Sequence, residues 1–278
     1  DKGDAATLTR LATGVDAIMT NWAKVPDTVI AAAPQCRIVS RLGIGLDNID
    51  VAYCTKHKIP VTNVPDYCVI EVAEHTLALL LGLARKVAFY HHETMNGRYV
   101  LQAGPPLKRI AGQTLGLIGL GNIGRRVAQG AQAIGMNVVA MTRSRRDPLP
   151  GVKFVDLDEL LATSDYVSLH LPLNADSKRM LGAPQFAKMK QGSYLINTAR
   201  GAVIDASALA AAIANGHLAG AALDVQDPEP PDLKMAPYND PRVIVTPHAA
   251  FVSQESLDNL RSRVAKQVAT RLTGGVPE

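Results

Sequence analysis

The sequence predicts an α/β protein of two domains, each built on a doubly wound parallel sheet. Two observations carry this prediction. Short apolar runs alternate with amphipathic stretches from residue 16 to residue 200, which is the pattern of strand–helix–strand units with helices on both sheet faces. The chain has 278 residues, which is enough for two separate hydrophobic cores.

The predicted elements follow one another along the chain. Strands are predicted at residues 17–20, 38–41, 61–63, 115–118, 138–141, 166–169, 194–197, 219–224 and 243–245. Helices are predicted at residues 27–32, 51–58, 69–90, 125–134, 157–162, 184–188, 206–215 and 254–272. A doubly wound domain usually opens with a strand, and residues 1–14 supply only part of a helix. We therefore expect about 30–40 further residues upstream, which is one βα unit.

A stretch without apolar periodicity separates the two series of units. Residues 96–106 contain two glycines and two prolines, and we predict the domain boundary there. The predicted first domain comprises residues 1–95 and 253–278, because the last helix can return to it. The predicted second domain comprises residues 96–252.

Composition argues against several classes of protein. The net charge of +4 is mild, and the cluster Arg143, Arg145 and Arg146 is too short to indicate a nucleic-acid surface. No apolar run approaches the length of a membrane span. Three cysteines at no metal-like spacing indicate reduced thiols, so a cytoplasmic location is predicted. His91 and His92 lack a nearby carboxylate or cysteine cluster, and no metal site is expected.

A glycine-rich loop follows the predicted strand at residues 115–118 and opens the next helix. Its sequence is Gly119-Leu-Gly121-Asn122-Ile123-Gly124. Glycines permit a tight turn, close approach of the backbone to a pyrophosphate, and close packing of helix on strand. The N–H groups and partial positive charge at the helix start favour the anion. Glycines often only make turns, but the strand before this loop and the helix after it favour a dinucleotide site. The predicted contacts are Gly119, Gly121, Asn122, Ile123 and Gly124.

The residues after the next predicted strand bear on the kind of dinucleotide. An NAD site usually has an acid about 20 residues past the glycine loop, where it binds the ribose hydroxyls. This chain has Thr142, Arg143 and Ser144 there, and no acid until Asp147. Hydroxyl and guanidinium groups bind a 2′-phosphate, so NADP(H) is favoured over NAD(H). A solvated basic loop is the alternative.

Three short motifs follow later predicted strands. They are Asn197-Thr-Ala-Arg200-Gly201, Asp227-Pro-Glu229-Pro230 and Thr246-Pro-His248-Ala-Ala250. Ligands of an open parallel sheet bind at the carboxyl ends of its strands. The motifs are therefore expected to bring an arginine, a glutamate and a histidine together. Each alone is common on a surface or in a loop, but their order after a glycine loop indicates catalysis.

With these motifs the chain resembles the D-2-hydroxyacid dehydrogenase family, the D-isomer-specific enzymes. The resemblance covers nearly the whole chain and includes two further motifs, Arg41-Leu-Gly43-Ile-Gly45-Leu-Asp-Asn-Ile-Asp50 and Val167-Ser-Leu-His170-Leu-Pro172. It implies a Rossmann-type nucleotide domain inserted in a flavodoxin-like substrate domain, and a homodimer. Residues 64–75 look most like the branch that includes the C-terminal-binding-protein corepressors.

The resemblance implies a role for each candidate residue. His248 would donate a proton to the substrate carbonyl, with Glu229 on its other ring nitrogen. Arg200 would bind the carboxylate and carbonyl oxygens of a 2-oxo acid. Asp224 would hold the carboxamide of the nicotinamide. The other implied cofactor contacts are His170, Pro172, Thr198, Ala199 and Ala250.

The substrate carboxylate is expected on the first domain. The turn Gly43-Ile44-Gly45 presents backbone N–H groups in an arrangement that suits a small anion. Arg41, just before it, is either a second cationic contact or part of a surface salt bridge. His75 lies on the predicted helix at residues 69–90 and is expected to be a packed, hydrogen-bonded histidine.

The implied activity is NAD(P)-dependent interconversion of a small 2-oxo acid, such as glyoxylate or hydroxypyruvate, and a D-2-hydroxy acid. The alternative is a cofactor-sensing binding protein like the corepressors, on the same fold. The presence of Arg200, Glu229 and His248 favours catalysis. No feature of the sequence points to a relative that acts on formate or phosphite.

Overall fold

The computed structural model describes residues 3–143 and 148–277, and the chain divides into two compact units. The first unit comprises Asp1–Cys68 and Val252–Glu278, and the second comprises Val69–Phe251. All the strand pairings within each unit are parallel. The α/β class and the parallel sheets predicted from the sequence are confirmed.

The first unit is a small α/β layer. Its elements are α1 (Ala5–Ala12), β1 (Ile18–Thr20), α2 (Asp27–Ala31), β2 (Val39–Arg41), α3 (Val51–Lys56), β3 (Val61–Thr62) and α10 (Gln254–Leu272). The strands pair in the order β1-β2-β3. Helix α10 packs against β2, and its Leu260 and Val264 form a buried cluster with Val64. The chain therefore returns to this unit at its C-terminal end.

The second unit contains the larger sheet. Its helices are α4 (Val69–Arg85), α5 (Val87–Met95), α6 (Asn122–Ala133), α7 (Leu157–Thr163), α8 (Ala183–Lys188) and α9 (Ala206–Ala214). Its strands are β4 (Thr114–Ile118), β5 (Asn137–Met141), β6 (Val152–Phe154), β7 (Tyr166–Leu169), β8 (Ser193–Asn197), β9 (Leu218–Leu223) and β10 (Val243–Val245).

The order of strands in this sheet determines where ligands bind. Among the described residues the order is β10-β9-β8-β7-β4-β5-β6. The order reverses at β4, which pairs with β5 on one side and with β7 on the other. In sheets of this kind the crevice beyond the carboxyl ends of the strands at the reversal point takes a dinucleotide. The glycine loop at residues 119–124 follows β4 and lies at this point.

Two apolar clusters hold the second unit together. One joins α4 and α6 to the sheet, through residues such as Leu80, Val127 and Leu115. The other joins α7, α8 and α9, with Phe186 and Leu209 among its fully buried side chains. Burial of a large apolar side chain contributes about 1.5–3 kcal/mol, so the sheet and its helices form one rigid scaffold for the loops.

Two predicted elements differ from the structure. The predicted helix at residues 69–90 is two helices, because Lys86 adopts the left-handed conformation with φ 56° and ends α4. The Lys86 ammonium lies 4.5 Å from the centre of the Tyr194 ring, a tertiary contact that local periodicity does not reveal. Strand β6 was not predicted, because it has three residues and two of them are exposed.

The division into units also differs from the predicted boundary at residues 96–106. Helix α4 belongs to the second unit, because Leu79, Leu80 and Leu83 lie in the cluster that contains α6. The sequence prediction had placed this helix in the first domain. A helix that packs on the sheet of the following unit can precede a loop that looks like a linker.

Three further observations concern membrane spans, metal sites and disulfides. No helix of residues 3–143 and 148–277 has both the length and the hydropathy needed to cross a membrane. The same residues contain no group of three or more His, Cys, Asp or Glu positioned to hold a metal ion. The three cysteines are buried thiols without disulfides.

Candidate active site

The absence of a side chain has a different physical consequence at each glycine of the glycine loop. Gly119 has φ +100°, and a Cβ there would lie 2.2 Å from the carbonyl oxygen of His170. A Cβ on Gly124 would lie 2.5 Å from the carbonyl oxygen of Gly119. A Cβ on Gly121 would meet nothing within 4 Å, so the backbone is open to a ligand there. The loop therefore fits the close approach of a phosphate group.

The start of α6 completes this fit. Gly121 is its N-cap residue, and it offers no side chain to the N–H groups of the first turn. Asn122, Ile123 and Gly124 form that first turn. Backbone N–H groups and the helix dipole favour an anion at such a position. The loop and the start of α6 therefore suit an anion, and their role as a pyrophosphate site stays a prediction.

The predicted adenosine end lies after β5. Thr142 is half-buried and Arg143 is exposed, and Nη1 of Arg143 lies 2.5 Å from Oδ2 of Asp176. Ser144, the third residue of this prediction, lies outside the described residues. No sequence pattern indicates Asp176, which belongs to a loop 33 residues further along the chain.

His170 and Pro172 follow β7, next to the glycine loop. The His170 N–H donates to the carbonyl of Ile118 at 2.8 Å, which ties the two loops together. Nε2 of His170 lies 2.9 Å from Oγ of Ser168. Burial lowers the pKa of His170 to about 4, so its ring is neutral at neutral pH. The loop therefore presents an uncharged imidazole beside the glycine loop.

Glu229 and His248 form a hydrogen-bonded pair. Nδ1 of His248 lies 2.9 Å from Oε2 of Glu229, and Oε1 of Glu229 accepts from the Gln226 N–H at 2.9 Å. The two side chains are 22% and 25% exposed, so the pair is accessible. The sequence prediction that these two residues lie together agrees with this geometry.

The pKa of Glu229 lies below its ordinary value. Burial alone raises it, but the hydrogen bonds from His248 and the Gln226 N–H, with the charges of His248 and Arg200, outweigh the burial. Glu229 is therefore a carboxylate at neutral pH. A carboxylate on Nδ1 orients the imidazole and makes Nε2 the ring nitrogen that can exchange a proton.

Arg200 belongs to the same site. It follows β8, its Nη1 donates to the carbonyl of Ala199 at 2.7 Å, and its charge acts on Glu229. Gly201 lies against the chain that carries Glu229, since a Cβ there would lie 2.1 Å from the carbonyl carbon of Gln226. Close packing of the two loops thus requires a glycine directly after Arg200.

Asp224 directly follows β9, and its side chain is buried. Its Oδ1 accepts from Oγ1 of Thr246 at 2.6 Å and from the Ala249 N–H at 2.8 Å. Its Oδ2 accepts from the Ala250 N–H at 3.0 Å. These bonds hold the 246–250 turn, which carries His248, against the end of the strand. Sequence reasoning missed Thr246 as a partner, although it lies in the histidine motif.

Thr198 and Ala199 directly follow β8, the strand that pairs with β9. Oγ1 of Thr198 lies 2.9 Å from Oγ1 of Thr76 on α4. The Ala199 N–H donates to Oδ1 of Asn197 at 3.0 Å, and Nδ2 of Asn197 donates to the Arg200 carbonyl at 2.9 Å. The side chain of Asn197 therefore braces the loop that presents Arg200.

The predicted substrate residues lie in the first unit. Arg41 is buried, not at the surface, and its Nη1 donates to Oδ1 of Asn21 at 2.9 Å and to the carbonyl of Leu42. The carbonyl of Ile44 accepts from Nδ2 of Asn63 at 2.7 Å, which holds the turn that ends at Gly45. Their role as substrate contacts stays a prediction.

The strand order, the glycine loop and the Arg, Glu and His side chains define a nucleotide-dependent oxidoreductase. Comparison with known proteins gives the family. A family model described as the NAD binding domain of D-isomer specific 2-hydroxyacid dehydrogenases matches residues 77–250. The chain belongs to the D-isomer specific 2-hydroxyacid dehydrogenase family, so it is an NAD(P)-dependent enzyme.

Named relatives support this assignment. A glyoxylate reductase of Korarchaeum cryptofilum is 39% identical over 252 residues, which are 88% of this chain and 74% of the relative. A D-3-phosphoglycerate dehydrogenase of Bacillus subtilis is 38% identical over 91% of this chain, but the chain spans only 49% of it. A crystal structure of D-lactate dehydrogenase from Aquifex aeolicus, complexed with NAD and lactic acid, matches with a TM-score of 0.89 and 31% identity, over 96% of this chain and 85% of that one.

Proposed function

We propose that this enzyme reduces a small 2-oxo acid of the glyoxylate or hydroxypyruvate type to the D-2-hydroxy acid. The observation that carries the proposal is the hydrogen-bonded pair of Glu229 and His248 beside Arg200. These residues follow strands of the same parallel sheet whose β4 leads into the glycine loop. The names of the relatives agree, since a glyoxylate reductase and a hydroxypyruvate reductase are among them.

The roles we propose follow from the chemistry of the side chains. The cofactor, when bound, supplies the hydride for the carbonyl carbon. His248 donates a proton from Nε2 to the carbonyl oxygen, and Glu229 holds the ring and stabilises its protonated form. Arg200 binds the carboxylate and the carbonyl oxygen, which orients and polarises the carbonyl.

The cofactor contacts are also a proposal. The loop with Gly119, Gly121 and Gly124 would hold the pyrophosphate, since its backbone is open where a phosphate must approach. Asp224 would accept from the carboxamide of the nicotinamide. The residues we expect around the rest of the cofactor are Asn122, Ile123, Thr142, Arg143, Ser144, His170, Pro172, Thr198, Ala199 and Ala250. Arg41, Ile44 and Gly45 are proposed substrate contacts, with backbone N–H groups for the carboxylate.

An assay on a panel of 2-oxo acids tests this function. Loss of reduced-cofactor absorbance should be seen with glyoxylate or hydroxypyruvate, and the product should be the D-isomer. Tight cofactor binding without turnover of any 2-oxo acid would contradict the proposal. That result would favour the cofactor-sensing binding protein.

We expect Glu229→Gln to lower the rate of reduction at neutral pH about 10-fold, because the protonated imidazole loses its anionic partner. The same loss moves the alkaline fall-off of the rate to lower pH. The measurement is kcat/KM for the 2-oxo acid as a function of pH. Glu159→Gln is the control, since Glu159 is an exposed carboxylate on α7 whose side chain pairs with Lys153. An unshifted pH profile for Glu229→Gln would count against the role of this carboxylate.

We propose a preference for NADP(H) over NAD(H), based on Thr142, Arg143 and Ser144. Arg143→Ala should then raise the Kd of NADPH about 10-fold and leave that of NADH unchanged, because only NADPH carries a 2′-phosphate for the guanidinium. Fluorescence titration measures both values. Lys188→Ala is a matched control, since Lys188 is also an exposed cation paired with an aspartate. Tighter binding of NADH than NADPH by the wild type would overturn the preference.

A homodimer and a cytoplasmic location stay predictions. Exposed apolar side chains on α5 and just after it support the dimer, with Met95, Tyr99 and Leu101 at 72%, 92% and 77% exposure. Exposed apolar area of this kind favours association with another surface. The corepressor-like branch also stays a prediction.

A further inference from the structure

His75 is a histidine of α4 that reaches the buried end of β9. Its Nε2 lies 3.1 Å from Oγ1 of Thr246 and 3.5 Å from Oδ1 of Asp224. The side chain of His75 is 25% exposed, whereas that of Asp224 is 1% exposed. An ionisable ring from another element therefore contacts the hydroxyl and the carboxylate that hold the 246–250 turn.

The number of protons available for these hydrogen bonds shows whether the His75 imidazole donates or accepts. A threonine hydroxyl has one proton, and Thr246 donates it to Asp224 at 2.6 Å. The carboxylate accepts further bonds from the N–H groups of Ala249 and Ala250, so it is the acceptor at the end of the chain. Thr246 can then only accept from His75. Nε2 of His75 must therefore carry a proton.

The result is a directed series of hydrogen bonds from His75 through Thr246 to Asp224. Thr246 precedes His248 by two residues, and the His248 N–H donates to the backbone carbonyls of Asp224 and Thr246 at 2.8 Å and 3.0 Å. The series thus ends on the carboxylate proposed to bind the carboxamide, next to the turn that carries the proposed acid.

We propose that His75 is a positioning residue, which donates its Nε2 proton to Thr246 and so fixes the orientation of the Asp224 carboxylate for the cofactor. The inference rests on the proposed function, because it uses the proposed contact of Asp224 with the carboxamide. The role requires only an N–H group that reaches Thr246, so an amide at the same place can replace the imidazole.

Two variants of His75 separate this role from simple packing. His75→Gln keeps an N–H donor at a similar reach, whereas His75→Leu keeps much of the volume and removes the donor. We expect His75→Leu to raise the Kd of the reduced cofactor about 10-fold, and His75→Gln to stay within about 3-fold of the wild type. Fluorescence titration of the full chain gives these values without any turnover.

His217→Leu is the matched control. His217 is also a hydrogen-bonded histidine, with its ring nitrogens 2.9 Å from the Met189 carbonyl and 3.0 Å from Oε1 of Gln191. It directly precedes β9, whereas Asp224 follows that strand, so it lies at the other end of the same strand. His217→Leu should lower the melting temperature without a change in cofactor affinity.

The tautomer of His75 provides a readout that needs no variant. Long-range ¹H–¹⁵N spectra of the wild-type chain at mildly alkaline pH should show the proton on Nε2, with Nδ1 unprotonated. A proton on Nδ1 alone would overturn the inference. So would a His75→Leu variant that binds the cofactor as tightly as the wild type and loses only thermal stability. A wild-type chain that binds neither NADH nor NADPH would instead overturn the proposed function, and the inference with it.

Discussion

Replacement of His248 by alanine should lower kcat for 2-oxo acid reduction about 10³-fold, the range expected for loss of a positioned general acid. The Kd of the cofactor should change by less than about 3-fold, because the proposed cofactor contacts of the glycine loop and Asp224 do not involve the imidazole. The structure supplies the reason, since Nδ1 of His248 is held by Glu229 at 2.9 Å and the ring is partly exposed. Steady-state kinetics and fluorescence titration measure the two quantities.

The control for this prediction is His91→Ala, which removes an exposed imidazole on α5 and should leave kcat unchanged. The direction of the pH dependence is a second check. Reduction consumes a proton from the imidazole, so the rate should fall as pH rises, provided that chemistry limits turnover. Unchanged turnover in His248→Ala would refute the assignment of the acid, as would a pH-independent chemical step.

Replacement of Gly119 by alanine should raise the cofactor Kd on the order of 100-fold, or about 2.7 kcal/mol of binding free energy. The Cβ would lie 2.2 Å from the His170 carbonyl oxygen, and the backbone has φ +100°, which a side chain rarely adopts. The glycine loop, or the end of β7, must therefore move. We also expect the free energy of unfolding to fall by about 3 kcal/mol, since both overpacking and backbone strain contribute.

Gly112→Ala is the matched control for the effect of backbone strain alone. Gly112 has φ +85°, and a Cβ there would meet nothing within 4 Å. It should lose about 1 kcal/mol of stability from strain and keep the wild-type cofactor affinity. Equal affinities of Gly119→Ala and the wild type would show that the loop does not bind the phosphates.

Much of the fold was predictable because local patterns reflect burial. Strands such as β4 and β7 are almost entirely buried, so their apolar runs stand out in the sequence. Strand β6 was missed because it is short and mostly exposed. The end of α4 was missed because Lys86 is a good helix former, and its left-handed backbone accompanies a contact with Tyr194.

The candidate site was predictable to a similar degree. Arg200, Glu229 and His248 each follow a strand of one parallel sheet, so their convergence could be expected from order alone. The pairing of Arg143 with Asp176 could not be expected, since it joins two loops whose conformations have no sequence periodicity. His75 was expected to be packed and hydrogen-bonded, but its partners were not known.

Sequence patterns alone establish the α/β class, the order of the βα units along the chain and the residues that follow each predicted strand. The contacts between particular atoms follow only from the folded chain: Nδ1 of His248 contacts Glu229, and Nε2 of His75 contacts Thr246. The physical reason is the distance along the chain over which each effect acts. Periodicity and turn chemistry act over a few residues, whereas these contacts join residues that are 19 and 171 positions apart, and they exist only once helix packing and strand order have brought them together.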